Sequence, residues 1–304
     1  MTSPSIVVLA GGTGGAKLAR GMLDVVGGEQ LVVIANTADD IEIYGGYVSP
    51  DPDLVTFWLA DLIDARGWGL AGDTFHVMDE LRVLGREIWF NLGDRDLAIA
   101  LERARRLQAG VRLTDAQAMI ADALGAKAKV LPMSDDPVRT IVHAGGRPWP
   151  FQEFIITARP SDPIADVEFK GSRSARSTPE VLEAIATARA IVIGPSNPVI
   201  SIGPMLALAQ LHAALKETSA PVVAVSPLVR GAILKGPTKT FMDWAQRPLT
   251  STGIASVYAE LIDGLVADEH TDAVPMLRTD VLLDDPPARR RVAEETLRFA
   301  LALG

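Results

Sequence analysis

Residues 6–17 read IVVLAGGTGGAK: a five-residue apolar run, then four glycines with a threonine between them, then Ala16 and Lys17. An apolar run this short, with no polar alternation, is a strand buried on both faces, as in a parallel sheet. Residues 16–26 (AKLARGMLDVV) have the apolar spacing of a helix, so the glycines form a strand-to-helix turn. The pattern then repeats. Leu31–Ala35 (LVVIA), Ala190–Ile193 and residues 221–225 are further buried strands, and residues 273–277 a late one. Helical patterns lie between them over residues 53–65, 97–108, 204–216 and 251–262, and the amphipathic stretch Pro286–Leu303 closes the chain. Strands alternating with helices imply an α/β fold with a doubly wound, mostly parallel, Rossmann-like sheet.

One stretch departs from this rhythm. Residues 127–131, 138–143 and Phe151–Thr157 read as strands parted by Pro, Gly and Asp, which suggests a β-rich insertion over 128–172. Thr114 and Gln117 have the spacing of a capping box that opens a helix running to about residue 124. No repeat or low-complexity linker divides the 304 residues, so residues 1–304 read as a single α/β domain carrying that insertion.

The composition narrows the chemistry. With 29 Lys+Arg against 38 Asp+Glu the formal charge is −9, which speaks against a duplex nucleic-acid binder with its basic face. At 48% hydrophobic residues and a mean hydropathy of +0.21 the chain can bury a large core. It holds no Cys, which removes disulfides, thiolate nucleophiles and iron–sulfur ligation, and its four His leave little for an imidazole metal site. The N-terminus lacks a basic segment ahead of a long apolar run, so the expectation is a cytoplasmic protein. Residues 190–215 carry no formal charge, yet Pro195, Pro198 and Pro204 would break a spanning helix, so no membrane association is expected.

Four motifs could carry chemistry, three of them at the ends of strands, where ligands bind in open α/β sheets, and one just before a helix. Gly11-Gly12-Thr13-Gly14-Gly15-Ala16-Lys17 presents backbone N–H groups at a helix start, suited to an anion. It matches neither the dinucleotide pattern, which needs Gly where Lys17 stands, nor a P-loop, which needs Ser or Thr where Leu18 stands. Asn36-Thr37-Ala38-Asp39-Asp40 follows the second strand, and Ser49-Pro50-Asp51-Pro52-Asp53 follows shortly after. Two acidic pairs on neighbouring loops suit a hard cation such as Mg²⁺, although Asp53 also suits a helix cap. In Gly93-Asp94-Arg95-Asp96, Arg95 suits a phosphate and Asp94 or Asp96 a hydroxyl, or the acids cap the helix. Gly194-Pro195-Ser196-Asn197-Pro198 is a loop stiffened by proline, and Lys235 could add a cation to its rim. Ser134-Asp135-Asp136 is a weaker acidic turn. His76 and His143 have no catalytic partner at a recognisable spacing.

Taken in order, GGTGGAKLARG (11–21), NTADDIEIYGGYVSPDPD (36–53), LGDRDLA (92–98), LPMSDD (131–136), GPSNPVISIGP (194–204) and LKGPTK (234–239) resemble the 2-phospho-L-lactate transferase family of coenzyme F420 biosynthesis. The resemblance runs over nearly the whole chain. It implies transfer of a phospholactyl or phosphoenolpyruvyl group from a guanosine-diphosphate-activated donor to the ribityl hydroxyl of the deazaflavin Fo, with release of GMP, a requirement for Mg²⁺, and a homodimer. Carried onto these residues, it implies Asp40 and Asp51, with Asp39 and Asp53 close by, for the metal. Gly12, Thr13, Gly14, Lys17, Asn36, Asp94 and Arg95 would line the Fo and phosphate side. Gly194, Ser196 and Asn197 would hold the guanosine diphosphate part, and Asp94 or Asp96, or one of the metal-linked acids, would take the ribityl proton. Ala38 replaces a glycine common in that family, and Pro52 stands between the two acids.

Two rivals follow from the same residues. A gluconeogenesis-factor-like regulator, which binds a nucleotide sugar without transferase activity, follows its Asp-Asp with a Gly-Gly-Ser-Ser-Gly run. Ile41-Glu42-Ile43-Tyr44 stands here instead. An NAD(P)-dependent dehydrogenase fails on the glycine spacing.

Overall fold

The apolar runs become one sheet. In the computed structural model, which describes residues 5–158, 163–234 and 236–304, seven strands pair in parallel. They are β1 (Ile6–Ala10), β2 (Leu31–Ala35), β3 (Lys129–Pro132), β4 (Ala190–Ile193), β5 (Val222–Val225), β6 (Gly264–Ala267) and β7 (Met276–Arg278). Their spatial order is β7-β6-β5-β4-β1-β2-β3. The order reverses between β1 and β4, and at such a reversal open α/β sheets bind ligands beyond the carboxyl ends of the strands.

Both faces of the sheet are dry, which explains the unbroken apolar runs. Val7 and Leu9 face one core with Val181, Leu211 and Phe241. Ile6, Val8 and Ala10 face the other, which is closed by three helices: α1 (Gly12–Val26), α2 (Pro50–Leu59) and, at the C-terminus, Pro286–Leu303. Each Val, Leu, Ile or Phe among these is worth about 1.5–3 kcal/mol of burial. A further helix, α3 (Asp94–Gln108), packs beside the hairpin of Ile41–Ile43 and Gly46–Val48 rather than on the sheet.

The β-rich stretch divides. Lys129–Pro132 joins the main sheet as its edge strand. Arg139–Ala144, Arg147–Pro150 and Ile164–Lys170 form a separate antiparallel sheet. That sheet is hooked to the loop after β2 by the Thr140 amide, which donates to the Ala38 carbonyl at 2.7 Å.

Three expectations change. Phe151–Thr157 is a short helix, not a strand. Its run is too short for periodicity to decide, and Phe154 buries alone while Ile155 and Ile156 stay exposed. Thr114 and Gln117 form no capping box, because the helix Leu113–Ala123 has Arg112 at its N-cap, two residues before Thr114. Thr114 turns to Asp135 and Gln117 to Thr56 and Arg103. The helix expected over 204–216 is broken into Gly203–Leu206 and Ala209–Glu217, and a separate helical turn, Pro198–Ile202, precedes them. Among the described residues no single helix is long and apolar enough to cross a membrane. The segments 198–206 and 209–217 would reach that length only across an 88° bend, and Val199, Ile200, Ile202, Met205 and Leu211 lie in the core.

The C-terminal helix is held at its start by Asp285, whose carboxylate accepts from the Ala288 amide at 2.7 Å, with two prolines in the first turn. Replacing Asp285 with Ala should cost about 1 kcal/mol of unfolding free energy in urea titration, with the sheet unchanged by circular dichroism.

Candidate active site

At the reversal of strand order, the turn after β1 meets the loop after β4 with no room for side chains. A Cβ on Gly14 would lie 2.0 Å from the Pro195 carbonyl oxygen, and one on Gly15 would lie 2.6 Å from the Ser196 hydroxyl. That hydroxyl accepts from the Gly11 amide at 3.2 Å. Gly194 lies equally close, since a Cβ there would come within 3.0 Å of the Gly15 Cα. The glycines are thus required by backbone contact. α1 has neither a side-chain cap nor an acid in its first turn. Its first amide, on Gly12, is instead taken by Asp51 in the first turn of α2, which accepts at 2.7 Å.

Asn36, fully buried at the end of β2, organises the acidic loops. Its side-chain amide donates to Asp39 at 3.1 Å and to Asp51 at 3.0 Å, while its carbonyl oxygen accepts from the Ala38 amide. Two buried carboxylates are thereby set side by side. Burial, and after it the Asp51 charge, holds the Asp39 carboxyl well above the usual carboxylate range. Burial likewise pushes Asp51 up to about 6, against the Gly12 and Asn36 hydrogen bonds. Asp39 Oδ1 and Asp40 Oδ2 are both buried without a direct hydrogen-bond partner, and the Thr140 hydroxyl and the Asn36 amide offset the burial of Asp39 only in part.

The second acid of each pair faces elsewhere. Asp40 accepts from the Ser49 hydroxyl at 2.7 Å, and burial pushes it up to about 7 although the Arg139 charge opposes this. Asp53 meets the fully buried Arg103, which grips both carboxylate oxygens with its two terminal nitrogens. Among the described residues, no three acidic or imidazole side chains are grouped to hold a metal by themselves. Two carboxylates with an unmatched oxygen, however, fit the way Mg²⁺ is commonly held, by one or two carboxylates with water and substrate phosphate completing the shell.

Asp94 and Asp96 part company. Asp94 caps the neighbouring helix His76–Val83, accepting from the His76 and Val77 amides at 3.0 Å each and from the Thr74 hydroxyl at 2.6 Å. Led by the Thr74 bond, these hold its carboxyl below the ordinary value. In return Asp73 accepts from the Arg95 and Asp96 amides at the start of α3, so each helix start carries an acid from the other segment. Burial pushes Asp96 up to about 7, and the Asp53 and Asp73 charges add to the rise. The loop between α2 and His76 bridges toward the glycine turn. A Cβ on Gly67 would touch the Thr13 methyl at 3.8 Å, and one on Gly69 would lie 3.9 Å from Asp96 Oδ2.

The remaining expected residues sit around this centre. The Lys17 amine lies 4.0 Å from Asp284. The exposed Arg95 guanidinium donates to the Ala71 carbonyl at 2.9 Å. Asn197 caps the turn that follows it, accepting from the Val199 and Ile200 amides, and its amide donates to Thr238. Lys235 lies outside the described residues. The sequence reading missed Arg103, Asp73 and Arg139. A signal for Arg103 existed: Leu97, Ala100 and Arg103 recur every three residues on the buried stripe of α3.

The family model described as 2-phospho-L-lactate transferase CofD matches residues 6–287. The chain is similar to a 2-phospho-L-lactate transferase of Methanosarcina mazei, 38% identical over 269 residues and covering 88% of each chain. It is equally similar, at 38% identity, to a phosphoenolpyruvate transferase of Kitasatospora aureofaciens, covering 95% of this chain and 97% of that one. Among solved structures, a UPF0052-family protein of Bacillus halodurans superposes with a TM-score of 0.61 at 17% identity, covering 98% of this chain and 99% of that one. That likeness concerns the fold alone.

The capping role of Asp94 is open to test. In Asp94→Ala, amide hydrogen exchange over residues 76–83 should accelerate several-fold, while Asp94→Asn, which keeps an acceptor oxygen, should show a smaller change.

Proposed function

From the premise that this chain belongs to the 2-phospho-L-lactate transferase family, we propose that it moves a phospholactyl or phosphoenolpyruvyl group from a guanosine-diphosphate-activated donor to the ribityl hydroxyl of Fo. The hydroxyl oxygen attacks the phosphorus that bears the three-carbon acid, the bond to the bridging oxygen breaks, and GMP leaves. The product is F420-0 or its dehydro form, and the proton passes from the hydroxyl to a base on the enzyme. Such a reaction needs positioning and charge neutralisation and no covalent nucleophile, which suits a chain without Cys.

The observation that carries this reading is the pair Asp39 and Asp51 bridged by the Asn36 amide beside the first amide of α1. These two acids, rather than Asp40 and Asp53, are the proposed holders of Mg²⁺. What sets them apart is position: Asp39 and Asp51 share the Asn36 amide beside the start of α1, whereas Asp40 turns to Ser49, its other oxygen buried and unpartnered like that of Asp39, and Asp53 turns to Arg103. When bound, the cation would neutralise diphosphate charge. The chain's own part is to hold that charge in place. Gly12, Thr13 and Gly14 present the start of α1 toward it. Ser196 fixes the opposing loop through Gly11, and Asn197 keeps that loop's shape. Lys17 and Arg95, on the rim, supply positive charge toward the phosphates.

Asp96 is the proposed base. Asp94 is spent on the neighbouring helix, whereas Asp96 is half-buried with an affinity for protons near neutral pH, as a base working there requires. A homodimer and a cytoplasmic location remain part of the proposal through the family likeness.

The deciding experiment mixes the purified protein with Fo, Mg²⁺ and either guanylylated donor, and follows GMP and the deazaflavin product by mass spectrometry. Competition between the two donors identifies the three-carbon acid. Absence of GMP with every donor, together with tight binding of a nucleotide sugar, would replace this reading with that of a sensor.

Two variants sharpen it. Asp39→Asn and Asp51→Asn should each lower turnover at least a hundredfold. Asp39→Asn, which keeps an acceptor for the Asn36 amide, should leave the melting temperature unchanged or higher, whereas Asp51→Asn should lower it, because both Asp51 oxygens accept hydrogen bonds. Turnover should also fall as pH drops through about 7, where Asp96 takes up its proton. Asp96→Asn should flatten that limb and cost about 10²–10⁴ in kcat.

A further inference from the structure

Arg103 is the bulkiest fully buried side chain among the described residues. Its guanidinium holds both oxygens of Asp53, donates to the Tyr47 carbonyl at 3.0 Å and reaches Gln117 Oε1 at 3.2 Å. Gln117 in turn donates to the Thr56 hydroxyl at 2.8 Å, and that hydroxyl donates to the Pro52 carbonyl at 2.7 Å. The anchored groups flank Asp51 on its C-terminal side: the carbonyl of residue 52 and the carboxylate of residue 53. The Asp53 amide completes the turn by donating to Ser49 at 3.0 Å. α3 and the helix Leu113–Ala123 thus clamp the first turn of α2.

Stability alone does not account for this clamp. Taking a guanidinium and a carboxylate out of water costs more than their attraction commonly returns, and an apolar pair of similar volume does as well or better. Here Arg103 Nε is also buried without a partner, an added cost. What the ion pair supplies is direction. A forked donor fixes the place and rotation of one carboxylate, and the turn that carries it also carries Asp51, whose contacts to Gly12 and Asn36 are 2.7 and 3.0 Å.

We infer that Arg103 is a positioning residue: by gripping Asp53 it holds the first turn of α2 so that Asp51 meets Asp39 at the geometry a divalent cation needs, and it turns Asp53 away from that pair. This rests on the reading that Asp39 and Asp51 hold the cation. Supporting residues behind metal ligands typically change metal affinity by about 10- to 100-fold when altered.

The test is Mn²⁺ binding to the full chain without substrates, followed by electron paramagnetic resonance, with thermal melting alongside. Arg103→Lys keeps the charge and loses the fork. The double variant Asp53→Asn with Arg103→Met removes both charges and leaves no unpaired ion. Both should bind Mn²⁺ at least about tenfold more weakly than the wild type. The double variant should melt within a few degrees of wild type, so that lost affinity cannot be ascribed to lost fold. Wild-type Mn²⁺ affinity in the folded double variant would overturn the inference and reduce the pair to a structural one. Should the double variant not fold, wild-type affinity in Arg103→Lys overturns it equally. Asp51→Asn separates the two levels: if it binds Mn²⁺ as the wild type does, the cation reading itself falls, and the positioning role falls with it.

Discussion

Two carboxylates buried side by side repel each other and have each lost their water, so the structure around Asp39 and Asp51 must either neutralise them or hold them apart from stability's demands. Here a single carboxamide, that of Asn36, reaches both, and the first amide of α1 takes a second oxygen of Asp51. These partners are neutral donors. They orient the acids without cancelling the charge, and burial leaves both proton affinities raised. Such an arrangement is poised for a cation and an anionic ligand arriving together. The glycine turn, the acidic loops and the loop after β4 all converge on that demand.

The four loop acids divide by what stands behind them. Asp39 and Asp51 look toward the glycine turn. Asp40 and Asp53 look back into the protein, toward Ser49 and Arg103. One acid of each pair thus faces the glycine turn while its neighbour faces the protein. The same division appears at α3. Asp94 and Asp73 cap one another's segments, which fixes the loop over the glycine turn and leaves Asp96 as the acid of that motif with a raised proton affinity.

Much of the fold was legible because a strand buried on both faces has no polar alternation. IVVLA, LVVIA and AIVI could be read as parallel strands for that reason alone. Phe151–Thr157 misled because seven residues rich in apolar side chains satisfy either period, and its single buried contact at Phe154 is a tertiary matter. Thr114 and Gln117 misled for a related reason. Their spacing is that of a cap, but Asp135 and Arg103, distant in sequence, offered stronger partners.

By itself the sequence determined the class of fold, the place of the glycine turn and the set of acids from which a site is built, since these follow from local periodicity, from glycines needed at a close approach and from residue type. The tertiary structure alone decided which acids meet. Asn36, Asp39 and Asp51 come together through a turn and a hairpin, and Arg103 reaches Asp53 from fifty residues further along the chain. Whether a carboxylate faces a ligand or an arginine depends on which helix packs against it, and no spacing along the chain encodes that.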